Sequence, residues 1–118
     1  MSGTSPKKPA PRRAAPASTR SALAIQCIPM GVNGRKKAWA MVDKAIAAIE
    51  ALGLDYTVGP FETVVEGRLD ELFAAAQAAH LALLEAGAPK AASYIKLWSG
   101  SELGSTREKT AKYRKRGR

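Results

Sequence analysis

The chain has 118 residues, 46% of them hydrophobic, and a formal net charge of +9. That length supports one small domain with one core, and a single cysteine, Cys27, excludes an internal disulfide. No apolar run is long enough to span a bilayer, and the N-terminus lacks the apolar segment of a signal peptide.

Residues 1–21 carry Lys7, Lys8, Arg12, Arg13 and Arg20 and no acid, and Pro6, Pro9, Pro11 and Pro16 interrupt any amphipathic helix. Such a segment buries too little apolar surface to offset its ordering entropy. It reads as a disordered basic Pro/Ala-rich arm rather than a transit peptide. Residues 22–28 form a short apolar run with β-branched content, ended by Pro29 and Gly31, and read as a buried strand. Cys27 lies in that run, where a free thiol serves as a small buried hydrophobe. One free thiol also fits a reducing, cytoplasmic setting.

Gly31, Asn33 and Gly34 precede Arg35, Lys36 and Lys37. Amide donors and positive charge there suit a phosphate; a solvated basic helix start is the plainer reading. From 35 to 52, Val42, Ile46, Ile49 and Leu52 recur at helical spacing, and Gly53 ends the helix. Residues 54–59 read as the second strand. Pro60, which has no amide donor, belongs at an edge or turn, so the hairpin bends near Phe61 and Glu62. Residues 63–66 read as the third strand. A second helix over about 69–86 places Leu69, Leu72, Phe73, Ala76 and Leu83 on one face. Asp70 and Glu71 suit the positive end of its dipole. Gly87 and Pro89 end it, residues 91–98 read as the fourth strand, and Gly100 starts the tail.

Strand, helix, hairpin, helix, strand is the α+β ferredoxin-like βαββαβ sandwich, a four-stranded antiparallel sheet with two helices on one face. The expected strand order is 4-1-3-2, and the expected domain spans 22–100. Residues 22–100 hold seven bases and eight acids, so the basic charge lies in the ends. Residues 101–118 hold seven bases against Glu102 and Glu108 and read as a disordered basic tail.

Strand alternation assigns the faces. Leu23, Ile25 and Cys27, Val65, and Ile95 and Leu97 turn toward the helices. Gln26, Val64, Glu66, Tyr94, Lys96 and Trp98 turn to the uncovered face. There a carboxylate, an amide and aromatic planes lie on neighbouring strands. A carboxylate accepts from an amino-heterocycle, and an aromatic face attracts a cationic ring. A sheet-to-sheet dimer interface favours the same aromatics, and the two uses are compatible. The catalytic inventory is thin. His80 borders the apolar stripe of the second helix without a Ser or Cys partner at a recognisable spacing, and reads as structural. Metal clusters, phosphate-cradling glycine motifs and nucleophile motifs are absent from the sequence.

Several residues together are suggestive: Pro29 and Gly31 after strand one, Gly53-Leu54 at the helix exit, Pro60, Thr63, Val64, Glu66 and Gly67 in the hairpin, the helix opening from Leu69 to Phe73, Ala79-His80, the segment from Glu85 to Ala88, and Ile95-Lys96. Through them the chain resembles the single-repeat branch of the thiamine-binding protein family related to YkoF over roughly 22–98. The resemblance implies a ferredoxin-like fold, binding of thiamine or its hydroxymethyl pyrimidine precursor without turnover, subunit association through sheets, and a cytoplasmic role in vitamin supply or sensing. Thiamine is then the ligand, and no other cofactor is implied. Glu66 would accept from the aminopyrimidine, Gln26 would be a second polar anchor, Trp98 or Tyr94 a stacking plane, and Thr63 would contribute through its place in the family motif. Phe61-Glu62 at the hairpin, Arg68, and the basic 33–37 loop depart from the family pattern. Two other readings stand beside this one: a nucleic-acid-associated protein using the basic ends as electrostatic arms, and a structural interaction module.

Overall fold

The computed structural model describes residues 16–17, 19–101 and 103–116. Along the chain run β1 (Arg20–Met30), α1 (Arg35–Glu50), β2 (Asp55–Val58), β3 (Thr63–Arg68), α2 (Leu69–Glu85), β4 (Lys90–Ser99) and α3 (Thr106–Arg116). The sheet order is β2-β3-β1-β4, with every pairing antiparallel. This is the expected ferredoxin-like arrangement with one helix more.

The core lies between one sheet face and α1 with α2. Leu23 and Ile25 of β1 and Val65 of β3 are buried against Met41, Ala45 and Ile49 of α1 and Leu72, Ala75, Ala76, Ala79 and Leu83 of α2. Ala45, Ala75 and Ala79 add little bulk, which lets the two helices approach closely over the sheet. The helical faces differ from the expectation at two large side chains. Leu52 is exposed because α1 ends at Glu50, and Phe73 is 56% exposed beside the edge strand β4.

β1 pairs with β4 from Ser21 to Met30 but with β3 only from Arg20 to Ile25. Pro29 is therefore tolerated inside the strand. The Arg20 carbonyl accepts from the Gly100 amide of the β4 side. Even-numbered residues thus direct their backbone groups at β4, and Pro29 faces the flank where no strand among the described residues lies beside it.

Both chain ends enter the fold further than the sequence suggests. Most of the 1–21 arm lies outside the described residues, but Ala17 and Thr19 do not. Their carbonyls accept from the amides of Asp70 and Leu69, each at 2.9 Å, and so satisfy two donors of α2's open first turn. Ser21, buried, bonds Ser99 at 2.6 Å. The 101–118 tail, expected to be disordered, is corrected over Thr106–Arg116, where it is helical. A reciprocal capping box starts that helix: Ser105 donates its amide to Glu108, and the Glu108 amide donates to the Ser105 hydroxyl.

Candidate functional site

The uncovered face is organised in rows across β3, β1 and β4. Register places Glu66 opposite Ala22 and Ala22 opposite Trp98; the next row is Val64, Ala24 and Lys96. Ala22 and Ala24 leave a floor of methyl groups between taller walls. The Glu66 and Trp98 backbones are two strand spacings apart, about 10 Å. The result is a trough with a carboxylate on one side and an indole on the other. Four residues further along β1, about 14 Å away, Gln26 pairs with Tyr94. There they line a second recess with Glu62 and Lys96, whose side chains form an ion pair at 3.2 Å.

The expected site residues therefore divide. Glu66 and Trp98 share one row. Gln26 and Tyr94 share another on the same face. Thr63 belongs to neither, because its side chain points to the helices and is 6% exposed. An odd-numbered β3 residue shares the face of Val65, so position in the hairpin does not bring its hydroxyl to the trough.

Glu66 is the electrostatic centre of the trough. Its side chain is only 10% exposed. One carboxylate oxygen accepts from the Thr106 amide at 2.6 Å, and the other meets the Arg20 guanidinium at 3.4 Å. Burial works to raise the pKa of this group. The Thr106 hydroxyl and amide and the charges of Arg20 and Lys109 outweigh it, so the carboxyl is held below its usual range. Across the trough, Lys109 places its ammonium 4.1 Å from the Trp98 ring centroid. α3 thus bridges both walls. Between α3 and the β2–β3 part of the face lies a cavity of about 530 Å³, lined by Asp55, Thr57, Val64, Glu66, Thr106 and Thr110 among others. Sequence reading missed Thr106 and Lys109. The Ser105-x-x-Glu108 spacing was the available signal for a helix start.

The other candidates lie away from the trough. His80 Nδ1 lies 2.7 Å from the Ser93 hydroxyl at the α2–β4 seam. Burial pushes the Cys27 thiol up, with Ser93 partly offsetting it. The basic loop before α1 leads into Arg35, which stacks over Trp39. Among the described residues, no group of three or more His, Cys, Asp or Glu side chains is placed to hold a metal ion. No helix among them is long and apolar enough to cross a membrane.

The fold and this face place the chain among small ferredoxin-like sandwiches with an uncovered sheet. The family model for thiamine-binding proteins matches residues 23–114. A UPF0045 protein of Clostridium perfringens is 32% identical over 92 residues, covering 78% of this chain and 95% of that protein. A domain of unknown function, DUF77, from Bacillus cereus superposes with a TM-score of 0.72 at 31% identity, over 86% of this chain and 98% of that one. A Thermotoga maritima protein, described as a candidate thiamine biosynthesis or salvage protein, shares the fold with a TM-score of 0.68 at 24% identity, over 80% and 98%. The chain belongs to the thiamine-binding protein family. The match extends through most of α3, so that helix lies within the family's own span.

Proposed function

We propose that the protein binds thiamine or its hydroxymethyl pyrimidine on the uncovered sheet face, without turnover, as a cytoplasmic homo-oligomer serving vitamin supply or sensing. Family membership supports the ligand class. The observation that carries the site is the Glu66–Ala22–Trp98 row. An aminopyrimidine lying on the alanine floor presents its amino group to the Glu66 carboxylate, and the positively charged second ring of thiamine meets the face of the Trp98 indole. A hydrogen bond to a charged acceptor contributes about 1.5–3 kcal/mol, and a desolvated cation–π contact about 2 kcal/mol. Gln26 and Tyr94 offer a second polar and aromatic station for a substituent that extends along β1 from the trough.

Two apolar surfaces support self-association. Trp98 and Tyr94 are 53% and 64% exposed on the open face. Phe73, Leu81, Ile95 and Leu97 are exposed where α2 meets the edge strand β4. Contiguous patches of this kind mark interfaces.

Calorimetric titration with thiamine, thiamine phosphates and hydroxymethyl pyrimidine tests the ligand. A stoichiometric heat is expected for at least one of them and its loss in Ala22→Leu, which fills the trough floor without touching the core. Full affinity in that variant, with the fold intact, would remove the trough as the site. Sedimentation tests the assembly: a monomer at micromolar concentration and ordinary salt is the result that rejects it.

A further inference from the structure

We propose that α3 is a built-in competitor for the trough: it occupies both walls with the two kinds of group that a cationic amino-heterocycle would bring. This rests on the ligand reading above. The Glu66 carboxylate needs an N–H donor, and here the Thr106 amide supplies it at 2.6 Å. The Trp98 ring takes a cation, and here the Lys109 ammonium supplies it at 4.1 Å. Thiamine carries an amino group on one ring and a positive charge on the other. A ligand engaging Glu66 and Trp98 must displace those contacts.

Composition makes α3 suited to exchange. Its sequence, TREKTAKYRKR, has Ala111 and Tyr113 as its apolar side chains, and Tyr113 is exposed. It has no apolar stripe with which to bury itself. No strand or helix packs on α3 as extensively as α2 packs on β1. Six bases against Glu108 leave it soluble when detached. Its own capping box, Ser105 with Glu108, lies within the segment and does not depend on the sheet. The helix can therefore leave Glu66 and keep its first turn closed. The cavity beneath it shows that α3 spans the face rather than filling it.

Thr106 is the first helical residue, which gives a clean test. Thr106→Pro removes the amide and hydroxyl that Glu66 receives, changes no charge, and suits a first helical position. Lys109→Met removes the ammonium from Trp98 and keeps most of the stem. Full-length wild type, both single variants and the double variant are titrated with thiamine by calorimetry at one ionic strength. Each single variant is expected to bind about threefold tighter, and the double variant about tenfold tighter. Glu66→Gln is expected to cost more affinity in the Thr106→Pro background than in wild type, because in wild type the mutation also weakens the competitor. Wild-type binding with unchanged or weaker binding in the variants overturns the competitor and leaves the ligand reading standing. No heat in any of the proteins overturns both. Binding that appears only in the variants supports the competitor in its strongest form.

Discussion

The helix-covered face of the sheet and the face crossed by α3 differ in what holds their covers. On the first, leucine, isoleucine, valine and alanine side chains from β1, β3, α1 and α2 are buried together. On the second, a capped basic helix rests on a carboxylate and an indole. Apolar burial is non-directional and proportional to area, so it has no single removable point. Polar contacts of the second kind are few, directional and replaceable by another molecule with the same donors. One cover maintains the fold and the other can be exchanged.

The sharpest way to break that contrast is on the covered face. Leu72→Ala deletes a fully buried side chain, and the expected loss is about 2–5 kcal/mol in urea denaturation. A loss below about 1 kcal/mol would mean that the core relaxes around the site and is not the rigid half. The N-terminal link comes next. A chain beginning at residue 20 lacks the Ala17 and Thr19 carbonyls that receive the Asp70 and Leu69 amides but keeps all of β1. At about 0.5–1.5 kcal/mol for each hydrogen bond, it should be about 1–3 kcal/mol less stable than a chain beginning at 16. Equal midpoints would show that water serves α2's first turn as well as the protein does.

Smaller effects are expected on the α3 side. Lys109→Met should change global stability by no more than about 1 kcal/mol, the scale of an exposed cation–π contact. A larger loss would make α3 part of the core. The smallest effect is with pH. Because the folded-state pKa of Glu66 is depressed, its contribution is present above the ordinary Glu value of 4.5 and is lost as pH falls through the lower folded value. Trp98 emission, followed in a Trp39→Phe background, should therefore shift on acidification below that value, with the core still folded. The same titration in Glu66→Gln should be flat.

Most of the sheet and both covering helices were legible because their apolar residues recur at the periods of strand and helix. Strand alternation also placed Gln26, Glu66, Tyr94, Lys96 and Trp98 on one face. Alternation fixes a face but not a distance along it. That is why Gln26, read as one set with Glu66, stands four residues along β1 from Ala22, the residue opposite Glu66. Helix α3, apart from its Ser105-x-x-Glu108 start signal, was hard to read for a different reason. Its composition is that of a solvated tail, and its order arises from Ser105 and Glu108 within it and from Glu66 and Trp98, distant in sequence. Phe73 shows the converse error: its spacing is that of a core residue, but the strand it overlies is an edge.

Pro29 has a consequence for how far this sheet can grow. A strand joining the bare flank beyond Ile25 would meet a residue with no amide to offer and lose a rung of its ladder. The β2 edge is four residues long and is followed by Pro60, a poor template in its own right. The ten residues of β4 contain no proline and form the long remaining edge. Two copies meeting there about a twofold axis would each use up the one generous edge among the other's described strands. Such a pair is closed, and the addition that creates it also ends the series before a fibre can begin.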